Sequence, residues 1–272
     1  MNIEYSVFLP CLKKERKMGM GMGMGVGIAL KSLFSVLGCV MIATLIYTII
    51  ADGHPFRIQL LTPWLTATLI DFYFNIVAIG AWVIYKESNW ISAVLWVVLL
   101  ICLGSITTCG YIVLQFFKLS SKESMQDPVF YVLLRHGKMN KPERQNKLCV
   151  AVAKVVFIAL GCLMLGTLIY TFVTNGSPFR KEVYTPWTIA TFIDFYINVV
   201  ALSVWIVYKE SSWISASCWI LLLITLGSIA TSAYIVLQLF QLSSQDPPYY
   251  ILFNRAKEGY EGTLQEDLVD DC

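Results

Sequence analysis

The chain has 272 residues, of which 57% are hydrophobic and 14% charged, with a formal net charge of +2 and a mean hydropathy of +0.66. That composition excludes an ordinary soluble domain and describes a chain dissolved in lipid. A charge so near zero, with basic residues lying outside the apolar stretches, also argues against a nucleic-acid partner.

Residues 1–27 join a basic run, Lys13, Lys14, Arg16 and Lys17, to the string MGMGMGMG. No small-residue cleavage site precedes the first apolar stretch, so this is not read as a removable leader. It is expected to be disordered, and translation starting at Met18 or Met20 is a plain alternative. Apolar segments follow at about 28–50, 63–85 and 90–117, then at about 153–173, 186–208 and 213–240. Each has the roughly 20 residues that a helix needs to cross the hydrocarbon core. The predicted organisation is membrane repeat 1 over 28–134, a polar linker over 135–150, membrane repeat 2 over 151–253 and an acidic tail over 254–272.

The duplication is explicit between Thr62–Trp90 and Thr185–Trp213, where 18 of 29 positions are identical. A shared preference for apolar residues does not produce that agreement. Both copies open on TPW, carry IDFY followed by Asn two residues on, and end on YKES before Trp. The turns DGHPFR and NGSPFR contain Asp-Gly or Asn-Gly and then Pro, so the first helix stops there. The motif QDPxxYxL closes both copies; VFYVLL and YYILF after it are too short to span and are expected at the bilayer interface. Trp64, Trp90, Trp187 and Trp213 fall at helix ends, where an aromatic belt would place them. The cysteines within apolar segments form no CxxC pair and read as packing residues.

Asp71 and Asp194 interrupt the second segment of each repeat. At 100° per residue, Thr68, Asp71 and Asn75 share one face of a helix, as do Thr191, Asp194 and Asn198. Asp71 lies about 12 Å along the helix from Pro63, too deep for a short side chain to reach the interface. An acid at that depth costs roughly 3 kcal/mol on insertion scales. The third segment offers a matching polar face: Thr108, Tyr111 and Gln115, repeated as Thr231, Tyr234 and Gln238. Asp71 is therefore expected to face that segment or the bundle centre. Three roles are open to it: a structural hydrogen bond to Asn75, Thr108 or Tyr111, a proton or cation site shared by the repeats, or recognition of a headgroup or partner. Arg57 and Arg180, in the PFR turns, are candidate contacts for lipid phosphate.

Enzymatic chemistry is the weakest class. GxSxG, HExxH and P-loop motifs are absent, and His54 and His136 are the only histidines, too few for the histidine clusters of membrane di-iron centres. A paired-aspartate hydrolase would need Asp71 and Asp194 within about 3 Å of each other. No metal or cofactor is implied.

Three spans per repeat predict that the second repeat is inverted. With six spans the basic residues divide evenly between the two sides. A rival arrangement makes one segment per repeat re-entrant and puts the N-terminus, linker and C-terminus on one side; apolar length favours six full spans.

The strings TPWxxATxIDFYxN, YKESxWIS, and GSIxT with YIVLQ, with their second copies, resemble a plant family of duplicated membrane proteins classed only as a domain of unknown function. The likeness runs from about 31 to 253. It implies a plant source, in an endomembrane or the plasma membrane, and an intact two-repeat architecture, and supplies no activity. The sequence thus predicts an all-α membrane protein of six transmembrane helices in two homologous three-helix repeats. The function read from it is that of a non-enzymatic membrane organiser or partner protein, in contact with lipid and with a membrane-protein partner or a second copy. A small proton-coupled or cation transporter using the Asp/Asn pairs is the alternative.

Overall fold

The computed structural model describes residues 4–54, 57, 60–134, 147–178, 180, 183–242, 246 and 248–253, and of 4–22 only the helical backbone. These residues are helical: α1 (Glu4–Asp52), α2 (Pro63–Lys86), α3 (Trp90–Leu103), α4 (Ser105–Phe117), α5 (Ser121–Met125), α6 (Pro128–Leu133), α7 (Lys147–Asn175), α8 (Pro186–Lys209), α9 (Trp213–Leu226), α10 (Ser228–Gln241) and a 3-10 turn at Pro248–Ile251. The linker over 135–146, the tail beyond 253 and His136 lie outside the described residues.

Local chemistry sets the helix starts. In TPW the threonine is an N-cap and the proline takes the first helical position, where its missing N–H costs nothing. Thr62 Oγ1 accepts from Leu65 N–H and Thr185 Oγ1 from Thr188 N–H, both at 3.2 Å. Helix α1 runs back through the Met-Gly string to Glu4. A helix already nucleated by an apolar stretch propagates at one hydrogen bond per residue.

Among the described residues, four helices are long and apolar enough to cross a membrane: Gly23–Asp52 within α1, then α2, Leu148–Asn175 within α7, and α8. The predicted third span of each repeat is not one helix. At Gly104 (φ 54°, ψ −129°) and Gly227 (φ 55°, ψ −128°) the backbone leaves helical space, and the chain folds back on itself. Thr107 Oγ1 of α4 donates to Leu99 O of α3 at 2.9 Å. Further along, Trp96 and Tyr111 meet edge to face at 4.9 Å, as do Trp219 and Tyr234 at 5.0 Å. Six full spans are thus replaced by four long helices and two helical hairpins. Apolar length cannot tell a crossing helix from two half-length ones; the glycine conformation decides it.

The direction of the second repeat also differs from expectation. Gly27 of α1 lies against Pro128 of α6, and Gly38 against Cys109 of α4; Lys31 sits over the Phe117 ring. The start of α1 and the end of α4 therefore share one end of the bundle with α6. In the second repeat Gly161 of α7 meets Ser232 of α10 and Lys154 sits over Phe240. The two ends are joined by Phe130 and Phe253, 4.9 Å apart, and by Tyr208 Oη, which donates to Asp127 Oδ2 at 2.7 Å. The repeats run parallel, not inverted. The closing segments meet at that end, where Phe130 and Phe253, 2% and 1% exposed, are buried between the repeats.

A candidate intramembrane clasp

Asp71 and Asp194 are each the ninth residue of a 24-residue helix, level with the hairpin tips. Asp71 Oδ1 accepts the backbone N–H of Ser228, and Asp194 Oδ1 that of Ser105, both at 2.7 Å. Each acid therefore caps the half-helix that begins at the other repeat's hairpin tip. The first turn of a helix leaves N–H groups unpaired and carries partial positive charge. Gly104 and Gly227 have no side chain to cap their own helices, so the acid from across the repeat boundary supplies the acceptor. In lipid no water would satisfy those groups instead.

The glycines are needed twice over. Their positive φ disfavours any side chain, and a Cβ at Gly227 would overlap the Asp71 carboxylate, as one at Gly104 would overlap Asp194 and the Phe72 ring.

The rest of IDFYxN closes on the same tips. Tyr73 and Tyr196 hydroxyls reach the carbonyls of Ile101 and Ile224 in their own hairpins, both at 3.4 Å. Thr231 Oγ1 donates to Asn75 Oδ1 at 2.7 Å. The other side is open: Asn198 is fully buried with neither amide atom bonded among the described residues, and Thr108 Oγ1 and Asn75 Nδ2 are also unpartnered.

Other residues expected at this site lie elsewhere. Thr68 and Thr191 hydroxyls turn back to Trp64 O and Trp187 O of their own helices, at 2.9 Å, because a helical threonine has its i−4 carbonyl within reach. Tyr111 and Gln115 do not approach Asp71. Tyr111 Oη donates to Glu87 Oε1 at 2.9 Å, with Gln115 Nε2 at 3.5 Å from the same oxygen. Tyr234 Oη donates to Glu210 Oε1 at 2.8 Å, with Gln238 beside it. Ser92 and Ser215 donate to the second oxygens of Glu87 and Glu210, both at 2.8 Å. These glutamates were missed because their place in YKES reads as a solvated turn; the Tyr–Glu partnership appears only once α4 folds back.

The lysine of YKES holds the closing segment. Lys86 Nζ donates to Tyr131 O at 2.7 Å and to Leu134 O; Lys209 Nζ donates to Phe253 O at 2.8 Å and to Tyr250 O. Trp82 and Trp205 indoles add Leu133 O at 3.2 Å and Leu252 O at 3.1 Å. Arg57 and Arg180 turn onto the ends of the preceding helices: Arg57 donates to the Asp52 carboxylate at 2.7 Å and Arg180 to Asn175 O. Of the four end tryptophans, Trp90 and Trp213 are exposed, while Trp64 is 9% exposed and so does not face outward.

Among the described residues no group of three or more His, Cys, Asp or Glu is placed to hold a metal ion. The profile of the family described as "Protein of unknown function (DUF1475)" matches residues 20–259. No curated protein matches the chain, and no solved structure does.

Proposed function

From the premise that the chain belongs to the DUF1475 family, we propose that it is a non-enzymatic multi-pass membrane protein, a fixed helical platform for a membrane partner or lipid. Four spans and two re-entrant hairpins form two parallel repeats. The plant source and the endomembrane or plasma-membrane placement belong to the same proposal.

The reciprocal capping of the hairpin tips by Asp71 and Asp194 carries it. Half-helix N-termini at mid-depth are anion sites in many transporters; here the chain supplies the anion itself. A carboxylate held between a helix start and a glycine backbone serves as a clasp, and protonating it would weaken both repeats.

Charge supports the topology. With four spans and two hairpins, the α1–α2 and α7–α8 turns hold Arg57, Arg180 and Lys181, and the other 17 of the 20 basic residues fall on the side of the N-terminus, linker and C-terminus. The excess marks that side as cytoplasmic. Depth agrees: a hairpin arm of 13 or 14 residues is about 20 Å long, short of the roughly 30 Å hydrocarbon core.

The second function is a small proton-coupled or cation transporter, favoured by the unpartnered Asn198 amide and Thr108 hydroxyl near the capped Asp194. Purified protein in liposomes with a pH-sensitive dye separates the two. A platform leaves an imposed pH gradient intact, and Asp71→Asn with Asp194→Asn keeps the fold, since asparagine also caps helices. Dissipation of the gradient by the wild type, abolished by those substitutions, would establish the transporter.

A further inference from the structure

A partly open cavity of about 290 Å³ lies between the repeats, on the closing-segment side of the clasp. Its walls are apolar. The hydroxyls of Thr108 and Tyr85, which border it, are sealed within the protein, and the Trp82 and Trp205 N–H groups are bonded to the Leu133 and Leu252 carbonyls. Water in such a space would lack the polar partners it needs, and an unfilled void would cost stability in proportion to its volume. Hydrocarbon fills it without either cost, and the bilayer is the source of hydrocarbon.

The walls show where a chain enters. Helix α2 packs on α7, and α1 on α8, and residues of both seams border the cavity. On the α1–α8 seam these are Leu30 and Val204, which pack onto the Phe34 cluster. Their counterparts in the other repeat, on the α2–α7 seam, are Ala153 and Ala81. Ala81 is exposed although it lines the cavity. One seam is thus filled by two branched side chains and the other is left with two methyl groups.

Depth decides which part of a lipid fits. Ala81 precedes Lys86, the last residue of α2, by about 8 Å of helix. Lys154, next to Ala153, holds its ammonium over the Phe240 ring at 4.4 Å. A lysine at this level marks the headgroup boundary, so the α2–α7 opening sits just inside the edge of the hydrocarbon.

We propose that the cavity holds one acyl tail of a membrane phospholipid, inserted from the bilayer between Ala81 and Ala153, with the headgroup outside at the level of Lys154. No charged side chain borders the cavity among the described residues, so a phosphate following the tail would be buried without a counter-ion. The volume, near the lower end of the small-molecule range of about 300 Å³ upward, suits a single chain.

The test is photolabelling of the full-length protein in phosphatidylcholine vesicles containing a trace of phosphatidylcholine with a diazirine in one tail. Ile79 and Leu202 line the cavity and are buried, whereas Ile84 and Val207 are exposed. Label on all four is expected. Ala81→Val with Ala153→Leu, which copies the filled seam, should cut the label on Ile79 and Leu202 roughly tenfold or more and leave Ile84 and Val207 unchanged. Adding Leu30→Ala and Val204→Ala to that protein should restore the inner label through the other seam, as a folding defect would not. Label confined to Ile84 and Val207 in the wild type, or equal inner label in the wild-type and sealed proteins, would overturn the proposal. The inference rests on the membrane platform proposed above but fails separately: an unlabelled cavity removes the lipid and leaves topology and proton impermeability as they are.

Discussion

Asp71 and Ser228 are 157 residues apart in sequence and 2.7 Å apart in space, the carboxylate accepting the serine N–H at the start of a buried half-helix. Asp194 and Ser105 repeat the contact in the opposite sense. Each repeat thus supplies the acceptor that the other lacks, so neither is complete alone.

Replacing the acids tests that dependence. Asp71→Leu leaves a buried N–H without an acceptor and should cost about 1–3 kcal/mol. Asp71→Asn, still an N-cap type, should cost less than about 1 kcal/mol. Thermal unfolding of detergent-solubilised protein distinguishes them; equal loss in both would remove the capping role.

The tip glycines should be at least as sensitive. Gly227→Ala combines a strained positive φ, worth about 1–3 kcal/mol, with overlap of the Asp71 carboxylate. Fluorescence-detected size exclusion is expected to show aggregation for this variant and for Gly104→Ala. Gly53 also has positive φ, but space for a Cβ is free there, so Gly53→Ala should remain monodisperse.

Lys86→Met should release the closing segment without unfolding the bundle. It removes charge-assisted bonds to Tyr131 O and Leu134 O, worth about 1.5–3 kcal/mol together with the desolvation they offset. Hydrogen exchange over α6 is expected to accelerate while exchange in α2 stays slow. An unchanged α6 would show that Trp82 and packing suffice.

Tyr111 and Glu87 should behave as a coupled pair. A double-mutant cycle with Tyr111→Phe and Glu87→Gln is expected to give a coupling of about 0.5–3 kcal/mol. The same cycle across Tyr111 and Glu210, which bonds Tyr234 instead, should give none.

Much of this was legible in the sequence. TPW fixed the starts of α2 and α8 through capping chemistry that acts within four residues. Helical periodicity placed Asp71 and Asn75 on one inward face, and the depth argument identified the acids as interior. What could not be read depends on partners distant in the chain. Thr107 and Leu99 are close only because Gly104 reverses the backbone, and hydropathy averages over that glycine. A third segment read as one straight helix puts Thr108 and Tyr111 within reach of Asp71 and makes the repeats inverted; the reversal brings Tyr111 and Gln115 to Glu87 instead. The family strings prove largely internal: Asp71, Tyr73, Lys86, Glu87, Gly104 and Tyr111 all contact other parts of the same chain.

The most direct measurement is sidedness, with accessible tags in the linker near position 141, after position 272 and in the α1–α2 turn of one otherwise intact protein. Parallel repeats with re-entrant hairpins predict the linker and C-terminal tags on the same face, with the α1–α2 turn opposite. Linker and C-terminus on opposite faces would contradict the fold described here, and with it the clasp that joins Asp71 to Ser228.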